Sequence, residues 1–210
     1  MFEPLFSQKI PENERVSSER ARVSSAGKGR LAAAYVARVA VMSAMLTALK
    51  FALSFVPNVE VVTLLVMVYA AAFGAAYALP ATVIFCAVET AIYGAGSWVV
   101  LYFVYWPLLA LLSCLAFGKL RRLPLWLSPA AAAFAAVMSA FFGVLSACCD
   151  TLYVAVGFPG LDLAAYWTAY YLRGLAFDGV HILSNAIVVG VLFLPLLSAG
   201  RRIRRGNARV

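Results

Sequence analysis

The chain has 210 residues, of which 64% are hydrophobic and 12% charged, with a net charge of +8. Soluble domains carry about a quarter charged residues, so a mean hydropathy of +0.91 excludes an ordinary soluble domain and predicts an all-α integral membrane protein. The basic excess lies in short flanks of apolar runs, where the positive-inside rule puts it on cytoplasmic segments, so no nucleic-acid partner is expected.

Residues 1–30 are rich in Ser, Glu, Lys and Arg and lack apolar periodicity. They predict a disordered basic cytoplasmic tail and no cleavable signal peptide. Residues 31–198 form the membrane domain, and 199–210 a second basic cytoplasmic tail. A bilayer core of ~30 Å needs about 20 helical residues, which gives six transmembrane helices. Span one is Ala33–Phe55, ended by Pro57-Asn58. Span two, Val61–Leu79, stops before Pro80. Span three, Ala81–Tyr93, is short and closes on Gly94-Ala95-Gly96. Span four is Trp98–Gly118, span five Pro129–Val156, and span six Gly174–Leu197. The connection Gly157–Arg173 is the longest loop and is expected outside. Arg15, Arg20, Arg22, Lys28, Arg30 and Arg38 precede span one. Lys119, Arg121 and Arg122 follow span four, and Arg201, Arg202, Arg204 and Arg205 follow span six. An even number of spans separates these clusters, which places both termini in the cytoplasm of a multi-pass cell-membrane protein.

Charge in hydrocarbon is costly and tied to function. Lys50, Glu89, Asp150, Asp178 and His181 all fall toward the outer end of their spans, so a water-accessible pocket opening outward is expected. On span six, Asp178, His181 and Asn185 share one face, with Asp178 and His181 within reach of a shared hydrogen bond. Trp98, Tyr102 and Trp106 recur every four residues along span four. They fit either an interfacial aromatic belt or a stack against a ligand ring. Glu89 and Asp150 are open to structural pairing with Lys50 or Arg173, and Lys50 to snorkelling. The mixed charges favour a zwitterionic or multiply hydrogen-bonding solute. Ala40, Ala44, Ala48 and Ala52 form a stripe on span one. Small residues let helices approach closely in lipid, either inside the domain or onto a separate membrane protein.

A single histidine and four cysteines without ligand spacing, Cys86, Cys114, Cys148 and Cys149, predict no metal site and no cofactor. There is no phosphate loop, HExxH or nucleophile elbow. No catalytic residue is assigned and the chain is not expected to be an enzyme.

A basic tail, six short-looped helices, an alanine ladder in helix one and an outward polar pocket resemble the substrate-binding S component of energy-coupling factor (ECF) transporters. The run Phe55-Val56-Pro57-Asn58-Val59-Glu60-Val61-Val62-Thr63 looks like the helix one–two junction of a broad S-component group. Tyr93-Gly94-Ala95-Gly96-Ser97-Trp98, followed by Tyr102 and Trp106, is similar to that group as well. The resemblance spans Ala33–Leu197. It implies capture of a small water-soluble micronutrient, a vitamin or its precursor, from outside. It also implies a transmembrane coupling subunit and two ATP-binding subunits as partners, with the AxxxA signature at Ala40, Ala44 and Ala48 touching the coupling subunit. The binding residues Lys50, Glu89, Trp98, Tyr102, Trp106, Asp150, Asp178, His181 and Asn185 come from the face and depth pattern alone. The rivals are a self-sufficient secondary transporter, which predicts internal repeats, an intramembrane enzyme using Asp178 and His181, and a structural protein with no small ligand.

Overall fold

The computed structural model describes the backbone of residues 12–120 and 122–207 and the side chains of 27–120 and 122–206. The described residues form six helices and no strand: α1 Glu12–Ala52, α2 Val62–Phe73, α3 Ala75–Tyr93, α4 Ser97–Phe117, α5 Leu127–Gly157 and α6 Leu163–Asn207. All but α2 contain a stretch long and apolar enough to cross a membrane. The chain divides into two compact units, residues 1–38 and 39–210. In the first, α1 begins at Glu12, within the segment expected to be a disordered tail. Residues 1–11 and 208–210, the side chains of Arg15, Arg20 and Arg22, and all of Arg121 lie outside the described residues. In the second unit, Val39, Met42 and Leu46 supply the buried side of α1.

The core of the second unit is α2. Residues Val62 to Ala72 are all buried, as expected of a helix that is apolar on every side. It packs against α6, α4 and α3. At 1.5 Å per residue its 12 residues cover only ~18 Å, short of a ~30 Å hydrocarbon core.

The boundary after α2 differs from the sequence expectation. The chain breaks at Gly74, not before Pro80. Gly74 has φ 90 and ψ 170, a conformation open essentially to glycine alone. Pro80 lies inside α3, one turn past the helix start, where its missing N–H removes one helical hydrogen bond. The second correction concerns Gly157–Arg173. Only Phe158–Asp162 are non-helical there, because the Asp162 carboxylate accepts the N–H groups of Ala164 and Ala165, both at 3.1 Å, and starts α6. α6 then runs 45 residues, far beyond the predicted span in both directions.

Two ends of this unit are defined by bonds between helices. At one, Lys50 of α1 pairs with Glu89 of α3. Ser97 at the start of α4 and Tyr166 near the start of α6 both bind Asp150 of α5. The carbonyl of Asn58 accepts the Ser184 hydroxyl at 3.1 Å. At the other end, Arg201 of α6 donates to the carbonyls of Leu120 and Phe117 at 2.6 and 3.1 Å, closing the C-terminus of α4. Gly200 there faces Ala72 so closely that an added Cβ would lie 3.0 Å from the alanine methyl. Lys119, Arg122, Arg202, Arg204 and Arg205 flank this second end in sequence.

Candidate functional site

Four connected features gather at the first end. The first is an ion pair inside the bundle. Glu89 is 1% exposed and is met by the Lys50 ammonium, which also lies 4.8 Å from the ring centre of Tyr102, 5.3 Å from Tyr93 and 5.8 Å from Phe85. The carboxylate supplies the charge and the rings supply quadrupoles of matching sign. Lys50 therefore has a partner and is not merely snorkelling to the interface.

The second feature is a polar line between α2 and α6. His181 and Asn185 are both buried, and the sequence places them on one face. Their partners differ from expectation. His181 Nε2 lies 3.4 Å from Glu60 in the α1–α2 connection, and no bond joins it to Asp178 among the described residues. The reason is positional: Glu60 also accepts the Thr63 backbone N–H at 2.9 Å, so the start of α2 fixes its carboxylate against α6. Burial raises the Glu60 carboxyl, but the bonds from His181 and Thr63 outweigh it and hold the group below its usual range. Asn185 donates to Ser139 at 2.9 Å and Thr63 at 3.4 Å, while its amide oxygen has no partner among the described residues.

The third feature is an aromatic cluster built on α4. Trp98 and Tyr102 meet edge-on at 5.1 Å, and Tyr102 and Trp106 at 5.8 Å. Phe142 of α5 joins Tyr105 at 4.8 Å and His181 at 5.4 Å. Trp106 is buried, and its indole N–H and the Tyr105 hydroxyl have no hydrogen-bond partner among the described residues.

The fourth feature is an open cavity of about 550 Å³ between α5, α6 and the α1–α2 connection. Phe142, Gly143 and Ser146 line it from α5, Asn58 from the connection, and Tyr170, Tyr171, Arg173, Gly174, Phe177 and Asp178 from α6. Asp178 packs on Gly143 so tightly that any Cβ there would overlap its carboxylate. Of the predicted binding residues, Asp178 lines this cavity. Lys50, Glu89, Trp98, Tyr102, Trp106, His181 and Asn185 form the pair, cluster and polar line behind it, with Phe142 as the shared wall. Asp150 is held apart, accepting Ser97 at 2.6 Å and Tyr166 at 2.7 Å, and pairs with neither Lys50 nor Arg173.

Sequence reasoning missed Glu60, Arg173 and the α5 wall. Glu60 carried a usable signal, a carboxylate three residues before Thr63 at the head of an apolar run. Arg173 and the tyrosines were hidden by reading their segment as a loop. Gly143 carried no signal, since its role is set by a residue 35 positions away on another helix.

A separate groove of about 540 Å³ runs along α1 and α3. Ala40, Ala44 and Ala48 are exposed and line one side with Ser43 and Thr47; Ile84, Val88, Ile92 and Tyr93 line the other. Glu89 also borders the groove, so the alanine strip and the Lys50–Glu89 pair share it. Among the described residues no group of metal-ligating side chains occurs. Comparison with protein-family models, with curated proteins and with solved structures gives no match for this chain.

Proposed function

We propose that the chain is the S component of an ECF-type importer. In this reading it is a multi-pass cell-membrane protein whose six helices, the short α2 among them, leave both termini in the cytoplasm. It captures a small water-soluble micronutrient, a vitamin or precursor, from outside, and hands it to a coupling subunit served by two ATP-binding subunits. The observation that carries the reading is the cavity of about 550 Å³ at the end of the bundle away from Arg201. Basic flanks favour the cytoplasm, so this end is outward, and a cavity of 300–1,000 Å³ suits a small organic ligand. The exposed strip Ala40, Ala44 and Ala48 supports a docking role, because it borders an open groove and is not consumed by packing inside the bundle.

The test is capture of the full chain from its own membranes in a mild detergent. Two identified ATPases and a membrane subunit should co-purify with the wild type and be lost from Ala44→Trp. A chain that carries no ATPase, and by itself moves solute down a gradient in liposomes, is a secondary transporter instead.

A further inference from the structure

Among the described residues at the outer end, every carboxylate but one is satisfied inside the protein. Lys50 pairs with Glu89, and Glu60 with His181. Asp150 accepts two hydroxyls. Asp178 is half-buried and has no hydrogen bond or ion pair among the described residues. It also lines the open cavity. An intramembrane carboxylate without a hydrogen-bonded counter-ion marks a functional site by default, and the packing keeps it there. α5 carries glycine at 143, where any side chain would occupy the carboxylate's own space.

We propose that the cavity takes a small solute bearing a positively charged nitrogen, with Asp178 as its counter-ion. This deepens the importer reading and rests on it. The rings of Phe142, Tyr170, Tyr171 and Phe177 line the same cavity, and aromatic faces attract organic cations. A bare metal ion fits poorly, since the cavity lining offers a single carboxylate and no group of metal-ligating side chains occurs among the described residues. The exposed Arg173 also lines the cavity, with its Nε–H donated to the Ala169 carbonyl at 3.2 Å. Its charge disfavours a second cation, so the far end of the solute is neutral or anionic. The Lys50 and Glu89 charges cancel each other and Asp150 is occupied by two hydroxyls, which leaves ligand selection to Asp178 and Arg173.

The full chain is purified from its host, and the small molecules released on denaturation are identified by mass spectrometry beside Asp178→Asn prepared in the same way. The expected result is a bound molecule with a positively charged nitrogen, its occupancy falling in Asp178→Asn as affinity drops ten- to a hundredfold. A bound molecule without a positively charged nitrogen, or full occupancy in folded Asp178→Asn, overturns the inference and leaves the importer reading standing. If the wild type releases nothing, thermal shifts are measured with thiamine, choline and pyridoxamine against biotin, pantothenate and nicotinate. Stabilisation by a member of the first set that Asp178→Asn abolishes supports the inference. Stabilisation confined to the second set, or undiminished in Asp178→Asn, overturns it alone, and stabilisation by none overturns both readings.

Discussion

Replacing Lys50 by Met should be far more damaging than replacing its partner Glu89 by Gln. The side chains are unequally placed, Lys50 being 27% exposed and Glu89 only 2%. Lys50→Met strands a carboxylate that water cannot reach, and breaking a buried pair in this way costs about 3–5 kcal/mol. Glu89→Gln keeps the shape and strands the ammonium, which still faces Tyr102, Tyr93 and Phe85 and has some access to solvent. That loss is about 1–2 kcal/mol, below the full ~1.5–3 kcal/mol of a hydrogen bond to a charged group because the ammonium keeps the rings and solvent. For a chain of this length each kcal/mol moves the midpoint by about 2–4 °C, so we predict a fall of roughly 6–20 °C for Lys50→Met and roughly 2–8 °C for Glu89→Gln. The double variant Lys50→Met/Glu89→Met removes both charges and fills the space, and should recover most of the loss, since apolar replacements of buried pairs are often neutral. Tryptophan fluorescence during thermal unfolding in detergent reads all three. A Lys50→Met protein melting within 2 °C of wild type, or one more stable than Glu89→Gln, would refute the reasoning.

Three further outcomes follow from other parts of the bundle. Gly143→Ala should push the Asp178 carboxylate aside at little cost in stability, because about 1 kcal/mol of helix propensity is gained against roughly 0.5–1.5 kcal/mol for an off-rotamer side chain; solute binding should fall with it, and unchanged binding would show that the carboxylate is not used. Arg201→Ala should lose about 1.5–3 kcal/mol by releasing the Phe117 and Leu120 carbonyls, with Arg201→Lys recovering only part because one ammonium cannot reproduce the guanidinium fork; equal midpoints for Arg201→Ala and wild type would count against that clamp. In a background free of Cys86, Cys114, Cys148 and Cys149, an impermeant thiol reagent applied to intact cells should label Leu161→Cys and spare Gly206→Cys, and the reverse pattern would invert the orientation.

Much of the helical layout was legible because hydrocarbon demands long apolar runs, and α4 and α5 begin and end within two residues of expectation. The errors have local physical causes. Pro80 predicts a stop for the second span, yet an apolar helix tolerates proline near its start, and the break belongs to the φ of Gly74. The sequence predicts a loop over Gly157–Arg173, whereas Asp162 within it caps a helix, so the part of α6 bearing Tyr170, Tyr171 and Arg173 is not visible in the pattern. The face of Asp178, His181 and Asn185 was readable from spacing alone, because periodicity fixes a face. The partner across that face was not readable, because nothing local to α6 states that Glu60 arrives from the α1–α2 connection.

The burial of α2 on every side changes how the sequence can vary. A helix bordering lipid repeats its tolerance every three to four residues, with one side constrained by packing and the other asked only to be apolar. α2 has no such permissive side: Thr63 and Tyr69 are enclosed along with the aliphatic residues between them. A saturation scan should therefore oscillate along α3 to α6 and stay uniformly intolerant from Val62 to Ala72. Drift in this protein would be carried by its rim, while the shortest helix is held nearly fixed.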